Sequence, residues 1–363
     1  MKVFLEYLWL DGSETQQLRG KTMVYGTNVD RLQVDHFPVW SFDGSSTNQA
    51  EAGESKNTDC ILKPVFVCDD PFRGKPHKLV LCDVYESDGK TPHKTNQRIK
   101  LKKFIDDNNL GGVMKSDQPW FGWEQEYTLM TKPDYKGGEG LPLGFRPNSE
   151  PRAQGDYYCG VGSDNVIGRK IAEEHLEKCV EIGLDISGIN AEVLLGQWEY
   201  QIGPVTALKG SDQLWISRYL LHRIAENHGI KISFHPKPKK GDEWNGSGCH
   251  VNFSNVEMRG DGGIVHILKV MDSLRDRHDE HISVYGLHNE ERSTGKLETS
   301  DINKFTYGYS TRDTSVRIPI KTKIDGRGYF EDRRPASNCD PYMVSKVMLE
   351  SVYNTVESME SRQ

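Results

Sequence analysis

Apolar residues in this chain fall at two spacings, and the two alternate along it. Ile99, Leu101, Phe104 and Ile105 sit among charged residues and predict a helix over Gln97–Asp107 that stops at Asn108–Gly112. Asp164 is placed to cap a second helix running to about Ile182, with Gly183 as its stop. Ser211 is placed to cap a third, which carries Leu214, Trp215, Tyr219, Leu220 and Ile224 and ends before Gly229. Ile264–Arg277 reads as a fourth. Asp340-Pro341, a cap followed by proline at the first helical position, opens a C-terminal helix. Short strands with turns at Asp11-Gly12 and Gly26-Thr27 are expected over residues 1–33, and two more over Ile61–Cys68 and Leu79–Tyr85. Trp40–Thr47 reads as a loop, and Lys132–Gly155, rich in glycine and proline, as the one long loop. The mostly-β first part meets the mixed second part near residue 100, giving expected domains 1–100 and 101–363.

One strand organises the rest. Trp120–Met130 is rich in aromatic and other sheet-favouring residues and is bounded by Pro119 and Pro133. Side chains alternate along a strand, so Glu124 and Glu126 face the same way. Two neighbouring carboxylates repel, and a covered face that holds both needs positive charge between them. Glu192 in Ala191-Glu192-Val193, Glu199 in Trp198-Glu199-Tyr200, His250 in Cys249-His250-Val251 and Glu331 in Phe330-Glu331-Asp332 repeat that setting. Five glutamates and one histidine, all expected on strands, form an oxygen-dominated donor set. Such a set suits magnesium or manganese better than zinc.

Charge and cysteine usage narrow the class. The 363 residues carry 46 basic and 53 acidic side chains, a net charge of −7, and offer no basic patch for a nucleic acid or a membrane surface. The cysteines at 60, 68, 82, 159, 179, 249 and 339 form no C-x-x-C pair, as expected of a reduced, cytoplasmic protein. Met1-Lys2-Val3-Phe4-Leu5-Glu6 lacks the apolar run of a signal peptide, and no apolar stretch approaches membrane-spanning length. The Gly-Lys-Thr triplets at 20–22 and 89–91 lack the upstream glycine of a phosphate-binding loop. A bound nucleotide would therefore need metals and arginines around its phosphates. Arg292, Arg312, Arg317, Arg333 and Arg334 cluster in sequence around Glu331, whereas Arg327 reads as a solvated surface residue.

These stretches together resemble glutamine synthetase in its compact eukaryotic form. The resemblance runs in order through Phe42-Asp43-Gly44-Ser45-Ser46-Thr47, Gly122-Trp123-Glu124-Gln125-Glu126-Tyr127, Tyr157-Tyr158-Cys159-Gly160, Asn190-Ala191-Glu192-Val193, Gln197-Trp198-Glu199-Tyr200, Asn245-Gly246-Ser247-Gly248-Cys249-His250, Val316-Arg317-Ile318-Pro319 and Tyr329-Phe330-Glu331-Asp332-Arg333-Arg334. It implies an α+β fold: an N-terminal β-grasp domain, then a catalytic domain with a curved antiparallel sheet and packed outer helices. It implies ATP-dependent ligation of ammonia to L-glutamate through a γ-glutamyl phosphate.

Residue by residue, the resemblance makes Glu126, Glu192 and Glu199 ligands of one Mg2+ or Mn2+ site, and Glu124, His250 and Glu331 ligands of a nucleotide-side metal, with two or three ions per cleft. Asp43 matches the aspartate that binds and deprotonates ammonium, with Ser46 and Tyr158 nearby. Glu298 matches the flap glutamate that shields the intermediate from water. Trp244, Asn245, Gly246, Arg292, Arg312 and Arg333 match glutamate-binding positions. Arg312 and Arg317 match phosphate contacts. Trp120, Pro204, Ser254 and Tyr329 would surround the adenine, with Asn252 and Glu199 completing the nucleotide set. The assembly implied is a homo-oligomeric ring with shared active sites, a decamer of two pentamers. Leu297 departs from the family, which commonly has histidine there.

Other readings stay open at this level. A γ-glutamyl ligase acting on another small amine would keep the fold, and a non-enzymatic relative would keep it without turnover. A metal-dependent hydrolase draws little support from His278-Asp-Glu-His281, which is not H-E-x-x-H.

Overall fold

In the computed structural model, residues 2–26, 29, 32–50, 57–108, 110–132, 140–153 and 155–360 are described. Thr27 of the expected turn and residues 133–139 and 154 of the expected long loop lie outside them.

The chain divides into two compact units, Met1–Phe104 with Val180–Leu184, and Ile105–Cys179 with Asp185–Gln363. The first contains β1 (Val3–Leu10), β2 (Leu18–Tyr25), β3 (Trp40–Asp43), β4 (Asp59–Asp69) and β5 (Lys78–Tyr85), in a sheet of order β2-β1-β5-β4-β3. β1 and β5 run parallel and the other pairs are antiparallel. Leu5, Tyr7, Leu62 and Val80 are fully buried in its apolar core. Residues 40–47, expected to form a loop, instead form strand β3 and a 3₁₀ turn over Gly44–Thr47. Trp40 and Phe42 alternate against the core, which is the period-2 pattern of a strand.

The helices follow: α1 (Gln97–Asp107), α2 (Leu110–Ser116), α3 (Arg169–Glu181), α4 (Ala207–Asn227), α5 (Val256–Arg259), α6 (Ile264–Asp276), α7 (His278–Ile282), α8 (Ile320–Asp325) and α9 (Pro341–Glu360). α9 begins as expected, with Asp340 Oδ1 accepting from Tyr342 N at 2.8 Å and Met343 N at 3.2 Å. Two expected caps are corrected. α3 starts at Arg169, after Gly168, so Asp164 lies outside it. α4 starts at Ala207, and Ser211 sits within it, donating to Ala207 O at 2.8 Å.

The strands of the second unit are β6 (Trp120–Thr131), β7 (Ile186–Ala191), β8 (Gln197–Val205), β9 (Ile230–Ser233), β10 (Cys249–Ser254), β11 (Tyr307–Tyr309), β12 (Val316–Ile318) and β13 (Phe330–Asp332). They form one sheet of order β11-β12-β13-β10-β6-β8-β7, with β9 also paired to β6. It is antiparallel except at its end, where β11 and β12 run parallel, so the all-antiparallel expectation fails there. β6 lies at its centre. Phe121, Trp123, Tyr127 and Leu129 on its odd face are fully buried, and α4 packs on β6, β8, β9 and α9. Covering the odd face with helices leaves the even face, with Glu124 and Glu126, to line a cleft.

Candidate active site

Strand register, more than sequence spacing, assembles the carboxylates. His250 lies opposite Glu124, Glu199 opposite Glu126, and Glu331 opposite Asn252. Directly opposed residues share a face, so three rows of polar side chains point the same way. His250 stands among them: Nδ1 is 3.6 Å from Glu124 and 3.3 Å from Glu331, and Nε2 is 3.8 Å from Glu126. Donor atoms of Glu124, His250 and Glu331 lie within 4.8 Å of one another. Glu192 is the exception to the strand expectation, since it follows the last residue of β7. Asn190 Nδ2, at 2.9 Å, and the Val193 amide, at 3.2 Å, hold its carboxylate in place of a strand partner.

The two ends of the strip differ in charge balance. At Glu331, burial pushes the carboxyl up, but the His250 hydrogen bond and the charges of Arg333, His250 and Arg317 bring it down to about 2. Arg333 Nη1 donates to its Oε1 at 2.7 Å, and Arg317 Nε is in ion-pair contact with Oε2 without a directed hydrogen bond. At the other end, burial and then the Glu126 charge raise Glu192 to about 8. Burial, Glu124, Glu192 and Glu126 raise Glu199 to about 10. Carboxylates about 4 Å apart repel by roughly 4 kcal/mol at an effective dielectric near 20. That repulsion marks a place for a cation, and oxygen donors with one imidazole fit a hard divalent ion. Neutral partners orient the donors: Gln197 Nε2 and the Gly248 amide donate to Glu126 Oε2, and Asn252 Nδ2 donates to Glu124 Oε1.

A cavity of about 450 Å³ opens beside Glu124. Trp120, Pro204, Asn252, Ser254 and Tyr329, all expected around a nucleotide, line it together. Arg259 lines it too, and no sequence pattern pointed to it. Its guanidinium lies 3.8 Å from the centre of the Trp120 ring and donates to Ser254 Oγ and Gln118 O, both at 2.9 Å. On α5, between Met258 and Gly260, it reads as surface charge; only the fold brings it onto an aromatic face.

A smaller cavity, about 40 Å³, opens beside Glu126 and His250. Asn245, Gly246, Arg292, Arg333, Glu298 and Leu297 line it. A β-carbon on Gly246 would stand 2.5 Å from Arg292 Cγ, so only glycine fits this wall. Arg292 donates to His250 Nε2 at 2.9 Å and to Arg333 O at 3.0 Å. Trp244 is not in that lining; its ring lies 5.1 Å from the Phe145 ring, in a cluster with Leu194. Leu297 and Glu298 both have positive φ, +50° and +64°. Arg312, which binds Glu298, lies 5.7 Å from the half-exposed Tyr158 ring. His278-Asp-Glu-His281 offers the hydrolase reading no site. His278 and His281 are buried, and His278 holds Ile302 O and Arg334 while His281 holds Tyr285 and Ser351.

Asp43 closes β3 in the first unit. It accepts from Ser45 N at 2.9 Å and Ser45 Oγ at 2.7 Å, and these bonds hold its carboxyl below the usual range. The Thr58 side chain is a further hydrogen-bond partner, and Ser46 is exposed alongside.

Comparisons with known proteins agree with this geometry. Residues 1–87 match the family model "Glutamine synthetase, beta-Grasp domain", and residues 95–262 match "Glutamine synthetase, catalytic domain". A chloroplastic glutamine synthetase of Chlamydomonas reinhardtii is 47% identical over 355 residues, covering 96% of this chain and 90% of its own. Glutamine synthetase of Saccharomyces cerevisiae is 46% identical, covering 99% and 91%, and that of Schizosaccharomyces pombe 47%, covering 97% and 92%. With both domain models matched and such relatives aligned almost end to end, the chain belongs to the glutamine synthetase family.

Proposed function

We propose that this chain is a glutamate–ammonia ligase, forming L-glutamine, ADP and phosphate from L-glutamate, ammonia and ATP. The observation that carries the reading is the position of β6. Glu124 lies in the wall of the larger, aromatic cavity, and Glu126 in the wall of the smaller, arginine-lined one. One strip of carboxylates therefore joins a space fit for a nucleotide to a space fit for an amino acid.

A carboxylate is a poor electrophile and must be activated. The side-chain carboxylate of glutamate attacks the γ-phosphorus of ATP, ADP leaves, and a γ-glutamyl phosphate results. Ammonia then attacks its carbonyl carbon and phosphate departs. Catalysis of such transfers is mostly positioning and charge neutralisation. Trp120, Pro204, Ser254 and Tyr329 would seat the adenine, with Asn252 and Glu199 completing the nucleotide set. Asn245, Gly246, Arg292 and Arg333 would seat glutamate, next to Trp244. Arg312 and Arg317 would meet the transferring phosphoryl group. Mg2+ or Mn2+ held by Glu126, Glu192 and Glu199, and by Glu124, His250 and Glu331, would neutralise phosphate oxygens and polarise the transferring group. Glu298 would close the rim against water. Asp43 would bind ammonium and take its proton, with Tyr158 and Ser46 in support.

We also propose a homo-oligomeric ring, a decamer of two pentamers, in which Asp43 serves the cleft of a neighbouring subunit. We propose domains 1–100 and 101–363, and a cytoplasmic location, which seven cysteines outside any disulfide support. No helix among the described residues is long and apolar enough to cross a membrane. The deciding assay is glutamate-dependent phosphate release from ATP with ammonium, another small amine or water as acceptor. Release that is indifferent to ammonium would overturn the ligase assignment.

A further inference from the structure

The helix-facing side of β6 carries an amide, Gln125, in a row otherwise made of Phe121, Trp123, Tyr127 and Leu129. Gln125 is fully buried, and a buried amide is tolerated only when hydrogen-bonded. Its Oε1 accepts from Arg218 Nε at 2.9 Å and Arg218 Nη2 at 2.6 Å. Its Nε2 donates to Glu126 O at 2.8 Å, Ser337 O at 3.0 Å and Ser337 Oγ at 3.1 Å. Ser337 Oγ in turn donates to Glu126 O at 2.6 Å.

Arg218 lies on α4 and is itself only 2% exposed, with its guanidinium near the Trp215 and Phe234 rings. Its remaining donors reach Ser337 O at 3.2 Å and Cys339 O at 3.0 Å. These four hydrogen bonds go to neutral oxygens, and the Cys339 thiol, its pKa lowered in part by Arg218, is a further partner. Burying a guanidinium against neutral acceptors is expensive, so this placement needs a compensating reason. The reason is geometric. Gln125 stands between Glu124 and Glu126 but points to the opposite face. Residues 337–339 follow closely on β13, which carries Glu331.

We infer that Arg218 is a positioning residue: a single fork behind the sheet that ties β6 at Gln125 to the segment after β13, fixing Glu124 and Glu126 relative to Glu331. A lysine could supply the charge but not this planar set of donors. The inference rests on the proposed metal-binding role of those carboxylates. Outer partners that orient metal ligands typically change metal affinity by about ten- to a hundredfold.

The test is Mn2+ binding to the substrate-free, full-length protein, measured by calorimetry, alongside thermal melting. Glu124→Gln serves as the control for the metal reading. Arg218→Lys should fold, melt cooperatively and bind Mn2+ about tenfold or more weakly. Ser337→Ala keeps the charge and removes only the hydroxyl that bridges Gln125 to Glu126 O. It should weaken binding by about threefold, and it decides the matter if Arg218→Lys does not fold. Wild-type Mn2+ affinity in either folded variant, whatever its melting temperature, overturns the proposal. If the wild type binds no Mn2+, the metal reading falls instead. Hydrogen exchange of the Glu126 amide, which donates to Gly248 O, then decides: exchange at the wild-type rate in the variants overturns the positioning role.

Discussion

Arg312 donates from Nη1 to both carboxylate oxygens of Glu298, at 3.1 Å to each. Arg333 Nη2 reaches the same residue's carbonyl at 3.2 Å. Two arginines expected at the substrate therefore hold Glu298 in place at the smaller cavity.

Removing that carboxylate tests the shielding role. Glu298→Ala should still phosphorylate glutamate but lose more of the acyl phosphate to water. The ratio of phosphate released to glutamine formed, at limiting ammonium, should rise several-fold. An unchanged ratio would remove Glu298 from the role and turn attention to Leu297 beside it.

Glu124→Gln and Glu126→Gln keep shape and remove charge. Each should lower turnover by at least about a hundredfold, since polarisation by a bound ion is worth several kcal/mol. Circular dichroism and melting should show the fold intact. Near-normal glutamine formation by either variant would refute the ligand assignment.

The raised carboxyls predict a pH dependence of the metal-free protein. Glu192 and Glu199 are raised to about 8 and about 10 from an ordinary value of 4.5. The folded state thus holds protons that the unfolded state has released. Stability from these groups is complete below about pH 4.5 and declines as pH rises through about 8. Melting temperature without metal should fall from pH 6 to 8.5, and the increment added by Mn2+ should grow over the same range. An increment independent of pH would contradict this.

At the larger cavity, Trp120→Ala and Arg259→Ala should each raise KM for ATP by about fivefold or more. Stacking on an aromatic face is worth about 1–3 kcal/mol per base. KM for glutamate should stay unchanged in steady-state kinetics. A matching rise in both constants would place the two residues elsewhere in the reaction.

Assembly is tested by mixing. Asp43→Ala and Glu124→Gln oligomers should each be nearly inactive. Dissociated together and reassembled at random in equal amounts, about one cleft in four of a head-to-tail ring receives both intact residues. Activity should return to about that fraction. Continued inactivity despite proven subunit exchange would mean that Asp43 acts within its own chain.

Local signals located α1 and the Asp340 cap correctly, because both depend on residues a few positions apart. They misplaced the starts of α3 and α4, because Asp164 and Ser211 are good caps that the packed helices do not use. Thr206 precedes α4 without any side-chain cap bond, so burial of the whole helix decides its start. Glu124, Glu126, Glu199 and Glu331 were legible because each stood out in an aromatic strand. Arg218 and Arg259 were not, since arginine on a helix looks solvated until distant strands supply Gln125 or Trp120. Glu192 was misread as strand-borne because the end of β7 is set by pairing with β8, which sequence spacing does not reveal.

The pairing of His250 with Glu124 and of Glu199 with Glu126 makes catalysis a proofreader of folding. A one-residue slip of β6 would turn Gln125 into the cleft and drive both carboxylates against the helices. Misregistered molecules would be inert rather than sluggish. Specific activity in a refolded preparation would then count correctly registered chains, while each active molecule kept an unaltered KM.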